Sequence, residues 1–415
     1  MAEAEAAVKP KAPTWAEAQA LEKRMSLISQ KIADLYKAID DKRSFSGLSE
    51  AEREAEQAKF EEERVALMRE YLRLGSEERT PDFSGMTEAD RAAEAETVRN
   101  QALAEARRLQ LAGDPMGLWR EGEARILDFD PKQGGRYFNR CCCVQLPTFD
   151  HDEESPLRPM RHTYKVYKND TVEVCEAVNI LSVKIACSDV GFPIQVYGTV
   201  IARDCIDSKC VYLFRRDRDH CQLINSKDEP LILTGPKRGL VLLDDDYVET
   251  DLKIKHQQGQ DREFSKGIIT IKGIANRLLK KCEVERESLA TRLSTVDVLY
   301  AVVLRAVEAT IGIRVLKGKF DGTISAHTTS IRHRVMLYDS KVAGTRTGDV
   351  GVIRLMRRVV CVYVRDMLIF KVRTSDGKLV RRIDFTPRGN SQDEDTITIG
   401  ATKMRLMVAW STMDP

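Results

Sequence analysis

Beyond Asp170, the apolar residues fall in short β-branched and aromatic runs, and no stretch of ten to fifteen residues at helical period separates them. Parallel strands need crossovers of about that length, usually helices, so this texture disfavours βαβ units and predicts an antiparallel sheet protein. Residues 178–185, 193–204, 209–216, 230–235, 247–255 and 266–273 read as strands separated by Gly, Pro, Asp and Ser. In one of them Val248, Thr250, Leu252 and Ile254 occupy one parity and Glu249, Asp251, Lys253 and Lys255 the other. That alternation is expected of a strand with one face against a core. The pattern continues through residues 299–318, 322–339, 351–373, 396–400 and 404–410, and Asp376-Gly377 marks a tight hairpin turn between two runs. Twelve or more strands in about 245 residues make one elaborated sandwich, or two small sheets divided near Glu285 to Thr295.

The first part of the chain has a different period. Thr14 and Glu17 form a capping-box pattern after Pro13, and Leu21, Met25, Ile28, Ile32, Leu35 and Ile39 follow at spacings of 4, 3, 4, 3 and 4. Ser49 and Glu52 open a second helix striped by Phe60, Leu67, Tyr71 and Leu74, and Thr87 with Asp90 opens a third that Gly113 and Pro115 close. The seam spans under three heptads, short for an autonomous coiled coil. It either packs on itself as a helical hairpin or pairs with a partner helix or a second copy. The expected organisation is a disordered tail at 1–13, a helical arm at 14–112, a connecting segment at 113–170 and an antiparallel β-sandwich at 171–415. The fold class is α plus mainly β, with one or two sandwich subdomains.

Charge divides along the same line. Residues 1–110 hold 18 Lys and Arg against 23 Asp and Glu, and the remainder 48 against 41, so the net +2 is a cancellation. Residues 331–388 carry 14 Lys and Arg against five Asp. Gathered on one face, Arg354, Arg357, Arg358, Arg365, Arg373, Arg381 and Arg382 would attract RNA or another polyanion, with Tyr338 or Tyr363 to stack on bases. The competing reading is that polar strand faces carry Arg and that edge cations guard against aggregation.

Other chemistries find little support. LTGPKRGL at 233–240 lacks the spacing and the Ser or Thr of a phosphate loop and reads as a strand connection. Asp244 to Asp246 and the cluster Asp393, Glu394 and Asp395 could serve calcium only if topology brought them together. Cys205, Cys210, His220 and Cys221 form no Cys-x-x-Cys pair, and Cys187, Cys205, Cys210, Cys221 and Cys361 read as small buried hydrophobes. His151 reads as part of a linker turn. No cofactor and no catalytic constellation is expected. The acidic N-terminus lacks the apolar run of a secretory signal, and no apolar stretch reaches the ~18 residues of a membrane span. The expected compartment is the cytoplasm, with the nucleus as the alternative.

Residues 125–140, 149–163, 178–204, 209–225, 231–255, 325–344 and 403–410, taken together, closely resemble a domain of unknown function that is expanded in grass proteins. The resemblance extends over about 118–410. It implies a plant protein linked to stress or defence and brings no catalytic residue set. In some grass proteins a related domain is joined to a ribosome-inactivating domain, as in the jasmonate-induced ribosome-inactivating proteins. The Glu-Ala-x-x-Arg motif of such N-glycosidases is not matched. Glu308-Ala309 runs into Thr310, Ile311 and Gly312, and Glu105-Ala106 has Arg107 and Arg108 too early. No toxin domain is therefore expected. The leading expectation is a non-enzymatic interaction protein that binds a protein partner or itself through the arm. RNA or ribosome binding through the basic stretch is the alternative, and an uncharacterised hydrolase or N-glycosidase is a third.

Overall fold

The computed structural model describes residues 83–166, 174–256, 259–274, 277, 279–343 and 351–413, with scattered helical positions between 20 and 70. The chain divides into two compact units, Met1–Ala93 and Glu94–Pro415. Within the first, the described residues from 20 to 31 and from 59 to 70 are helical. Leu21 and Met25 are half-buried and Ile28 is buried, whereas Leu27, off the seam, is 57% exposed. Arg24 donates to Glu70 at 2.9 Å, so the two helical stretches approach each other. Ile32, Leu35 and Ile39 lie outside the described residues, as do both earlier capping boxes and the tail.

Helix α1, Glu88–Leu111, starts where the sequence places a start. The Thr87 amide donates to Asp90 Oδ2 at 3.0 Å and the Asp90 amide to Thr87 Oγ1 at 3.2 Å, which satisfies two amides that a helix N-terminus leaves without partners. Gly113 closes it in the left-handed region, at φ 73°, and Asp114 donates back to Leu109 at 3.0 Å. Helix α2, Met116–Ile126, folds back against it, and Gln110 donates to Glu121 at 2.8 Å across the turn.

The connecting segment is fastened to the sandwich by buried polar groups. Its hairpin, β1 Leu127–Asp130 and β2 Gly135–Phe138, is held by Arg292, whose side chain is 1% exposed. Arg292 binds Asp128 at 2.6 Å, Asp130 at 3.0 Å and Glu263 at 2.9 Å. Downstream, Glu249 accepts from Arg203 and from Arg140, each at 2.7 Å, and from the Cys141 amide at 2.8 Å. The alternation rule places Glu249 on the solvent face of its strand, but this segment covers that face, and Glu249 is buried with its charge paired. His151 does sit in a turn, and its Nε2 lies 2.8 Å from the Cys141 carbonyl.

The strands form two sandwiches that share one long strand. In the first, a five-stranded sheet of β4 (Ile194–Arg203), β5 (Val211–Arg216), β6 (Gln222–Ile224), β8 (Asp246–Ile254) and β9 (Arg262–Ile271) faces β3 (Cys175–Ser188), β7 (Leu240–Val241) and β10 (Glu283–Thr291). In the second, a four-stranded sheet in the order β13 (Val335–Asp339), β12 (Gly322–Thr328), β15 (Leu368–Thr374), β16 (Val380–Phe385) faces β14 (Val359–Tyr363), β17 (Ser391–Ile399) and β18 (Thr402–Ser411). Strand β11, Ser294–Lys317, runs through both: its first half pairs with β3 and β10, its second with β14 and β18. Short helix α3, Ser340–Ala343, follows β13.

Strand parity builds the two cores. Val296, Val298, Tyr300 and Val302 of β11 point into the first, and Val303, Val307, Ala309 and Ile311 into the second. The divide lies near Arg305, exposed at φ 40°, where the register with β3 shifts between Val303 and Ala306. The body is thus two sandwiches, and the boundary expected near 285–295 falls inside β11. The run 230–235 is not a strand. Its amides go to scattered acceptors, Leu231 to the Val183 carbonyl, Ile232 to the Gln222 side chain, and Thr234 and Gly235 both to the Leu213 carbonyl, and Pro236 ends it without a donor.

Candidate polyanion-binding face

The Asp376-Gly377 turn sets the register of the candidate face. Gly377 takes a left-handed φ of 70° and donates to the Thr374 carbonyl at 2.9 Å, which aligns β15 and β16 so that Lys371 faces Arg382 and Arg373 faces Val380. Leu368, Phe370 and Val372 point into the core, so Ile369, Lys371 and Arg373 point outward. On the neighbouring strand Ser325 pairs with Lys371 and His327 with Ile369, which puts His327 on the same outward face. Arg334, just before β13, completes the group. Partial burial, then the charges of Arg334, Arg382 and Lys371, hold His327 below the usual imidazole range against the opposing pull of Asp384. Asp384 is an acidic residue of this face, and Arg382, 62% exposed, donates to it at 2.7 Å.

Of the arginines singled out from the sequence, Arg373 and Arg382 therefore share one sheet face. Arg381 is exposed but pairs with Val372 and so belongs to the opposite parity. Arg365 is exposed in the turn between β14 and β15, and Arg354 and Arg358 are exposed on the segment leading to β14. Arg357 is buried, at 5% exposure, and takes no part in the outward sheet face. Tyr338 is also buried, and Tyr363 half-buried, so Tyr338 offers no stacking surface. Arg334 and Lys371, within the basic stretch 331–388 but outside the seven arginines singled out, join the face with His327. Their signal is the outward parity of two strands once the hairpin fixes their pairing.

The remaining motifs have structural partners. In the 233–240 loop, Arg238 is 1% exposed and binds Asp204 at 2.5 and 2.9 Å, while Gly239 donates to Glu308 at 2.6 Å. It is a strand connection. Asp393 accepts from Trp410 Nε1 at 2.8 Å and Asp245 from the Gly273 amide at 2.6 Å. Among the described residues, no group of three or more His, Cys, Asp or Glu side chains is placed to hold a metal ion. All ten cysteines are free thiols. Cys210 and Cys361 are buried and Cys205 and Cys221 half-buried, but Cys187, near the end of β3, is exposed, contrary to the expectation of a buried hydrophobe. No helix among the described residues is long and apolar enough to cross a membrane.

A family model described as "Domain of unknown function (DUF6598)" matches residues 177–408. No curated protein matches the sequence. Among solved structures, the C2A and C2B domains of extended-synaptotagmin 2 align over 64% of this chain and 99% of that one, with 6% identity and a TM-score of 0.22. Human GIVD cytosolic phospholipase A2 aligns over 58% of this chain with 10% identity and a TM-score of 0.20, and this chain spans only 30% of that one.

Proposed function

From a chain that belongs to the DUF6598 family, a domain with no activity to transfer, we propose a non-enzymatic binding protein that takes RNA on the outward face of its four-stranded sheet. The observation that carries this reading is the gathering of Arg334, Lys371, Arg373 and Arg382 on and beside the outward face that holds His327. A rigid sheet holds these cations in register, so phosphates spaced along a strand meet several at once and release their counterions together. A plant origin, a link to stress or defence and a cytoplasmic location belong to the same reading. The burial of Ile28 by the chain's own residues, beside the Arg24–Glu70 pair, favours the self-packed helical hairpin over association through the arm.

The test is titration of a labelled single-stranded RNA with the full chain at several salt concentrations. Each phosphate contact contributes about −0.7 to the slope of log K against log salt. Replacing Lys371, Arg373 and Arg382 by Ala is expected to reduce the steepness by about 2, whereas Arg354→Ala with Arg365→Ala leaves it nearly unchanged. RNA affinity indifferent to salt, or equally affected by the two sets of variants, overturns the proposal.

A further inference from the structure

Arg357 is the anomaly of the second sandwich. It is 5% exposed, and among the described residues its guanidinium faces no carboxylate: Nη2 donates to the Ile180 carbonyl at 2.5 Å, Nη1 lies 3.4 Å from the Leu181 carbonyl, and Nε has no partner. The other buried arginines are treated differently. Arg203 binds Glu249, Arg238 binds Asp204, and Arg292 binds Asp128 and Asp130. Burial alone, with no neighbouring charge to offset it, lowers Arg357 to about 10. Placing a cation in the interior without a counter-ion costs several kcal/mol, and two carbonyls recover only part of that.

Arg357 also lines a cleft of about 500 Å³ between the two sandwiches. Leu181 of β3, Leu231 and Leu233 of the 230–235 segment, and Met336 and Met356 from the second sandwich supply apolar walls. The mouth carries Leu223 at 51% exposure, Met336 at 40% and Val342 at 43%, side chains that gain from being covered. The two carboxylates on the lining are engaged elsewhere, Glu229 with the Asn225 amide at 2.9 Å and Asp339 with the Lys341 amide at 2.9 Å. The cleft falls within the size range of small-molecule sites, which join apolar walls to a few placed polar groups.

We propose that this cleft binds a small amphipathic acid, its carboxylate held by Arg357 and its apolar body by the leucine and methionine walls. The ligand supplies the counter-ion that the chain omits, and a guanidinium matches a carboxylate in planar, two-point geometry. Arg334, which also lines the cleft, attracts the acid to the mouth. The cleft shares Arg334 with the candidate RNA face, but Arg357, which holds the carboxylate, lies off that face, so loss of acid binding on changing Arg357 and loss of RNA binding on changing Lys371, Arg373 and Arg382 are distinct outcomes.

The experiment is isothermal titration calorimetry of the full chain with decanoate and, as the uncharged comparison, 1-decanol. Decanoate is expected to bind at least about tenfold tighter, the loss typical of a removed charge-assisted hydrogen bond. Arg357→Met is expected to fold, because it replaces an unpaired buried cation with an apolar chain. It should lose that preference while keeping its affinity for 1-decanol. Met336→Trp narrows the mouth and is expected to weaken both ligands. Equal binding of acid and alcohol by the unaltered chain, undiminished decanoate binding by Arg357→Met, or no decanoate binding at millimolar concentration overturns the proposal.

Discussion

Two acids on β8 show how far partners decide the state of a buried group. Glu249 is desolvated, yet the hydrogen bonds and charges of Arg203 and Arg140 outweigh burial and hold it below the usual carboxylate range. Asp246, three residues earlier, is equally hidden; neither oxygen has a partner, and desolvation together with nearby Asp204 raises it well above that range. The consequences for stability have opposite signs. Glu249 contributes stability above its unfolded pKa that is lost as pH falls through its lowered folded value. Asp246 folds best protonated, so its contribution is complete below its unfolded pKa of about 3.9 and declines as pH rises toward the folded value. Asp246→Asn is therefore expected to raise the melting temperature by a few degrees at pH 7.5, with the gain vanishing near pH 4. Glu249→Gln is expected to cost about 3–5 kcal/mol at neutral pH by leaving the buried Arg203 guanidinium, and in part that of half-buried Arg140, underpaired. Thermal melts across pH 4 to 8 check both, and a gain for Asp246→Asn that persists undiminished at pH 4 contradicts the assignment.

At the scale of the element, close backbone approach controls pairing. Gly198 lies in the middle of β4 at φ 114°, and a Cβ there would sit 2.1 Å from the Asp251 carbonyl of β8. Neither backbone can yield without breaking the ladder, so Gly198→Ala is expected to destabilise the first sandwich by more than the ~1–3 kcal/mol of a strained backbone position, measured by urea denaturation. A loss below 0.5 kcal/mol, the ordinary range of a surface change, counts against it. Elements of this kind are legible where local period and turn chemistry agree. The Thr87 box, the Asp376-Gly377 turn and the alternation of Val248, Thr250 and Leu252 are all local signals. What escapes is set by contacts distant in sequence: the 24-residue span of β11, which two cores line with apolar residues on alternate faces, and the burial of Glu249 beneath residues 140–151. The candidate sites divide likewise. Arg373 and Arg382 follow from hairpin parity, but Arg357 sits among Arg354 and Arg358 with nothing in its neighbours to mark it as interior.

For the whole molecule, the shared strand bears on cooperativity. Two cores of comparable extent could melt separately, yet β11 is a wall of both, and polar bonds cross the divide. Asn179 of β3 donates to the Cys361 carbonyl at 2.7 Å and accepts from the Cys361 amide at 2.9 Å, joining β3 to β14 as one more rung of sheet. Leu181, on β3, packs in the second core, and Arg357 reaches the Ile180 carbonyl. Unfolding either sandwich strips one face of β11 and exposes these groups in the other, so loss of one withdraws support from its neighbour. Leu252→Ala in the first core and Phe370→Ala in the second, both fully buried, are each expected to cost about 2–5 kcal/mol. Each should lower hydrogen-exchange protection in β8 and β12 together, in one transition. If Phe370→Ala opens β12 and leaves β8 protected at full strength, the sandwiches are independent and β11 is only a tether. Joint loss makes β11 the common spine, and it predicts that an acid filling the cleft between the sandwiches raises the protection of both.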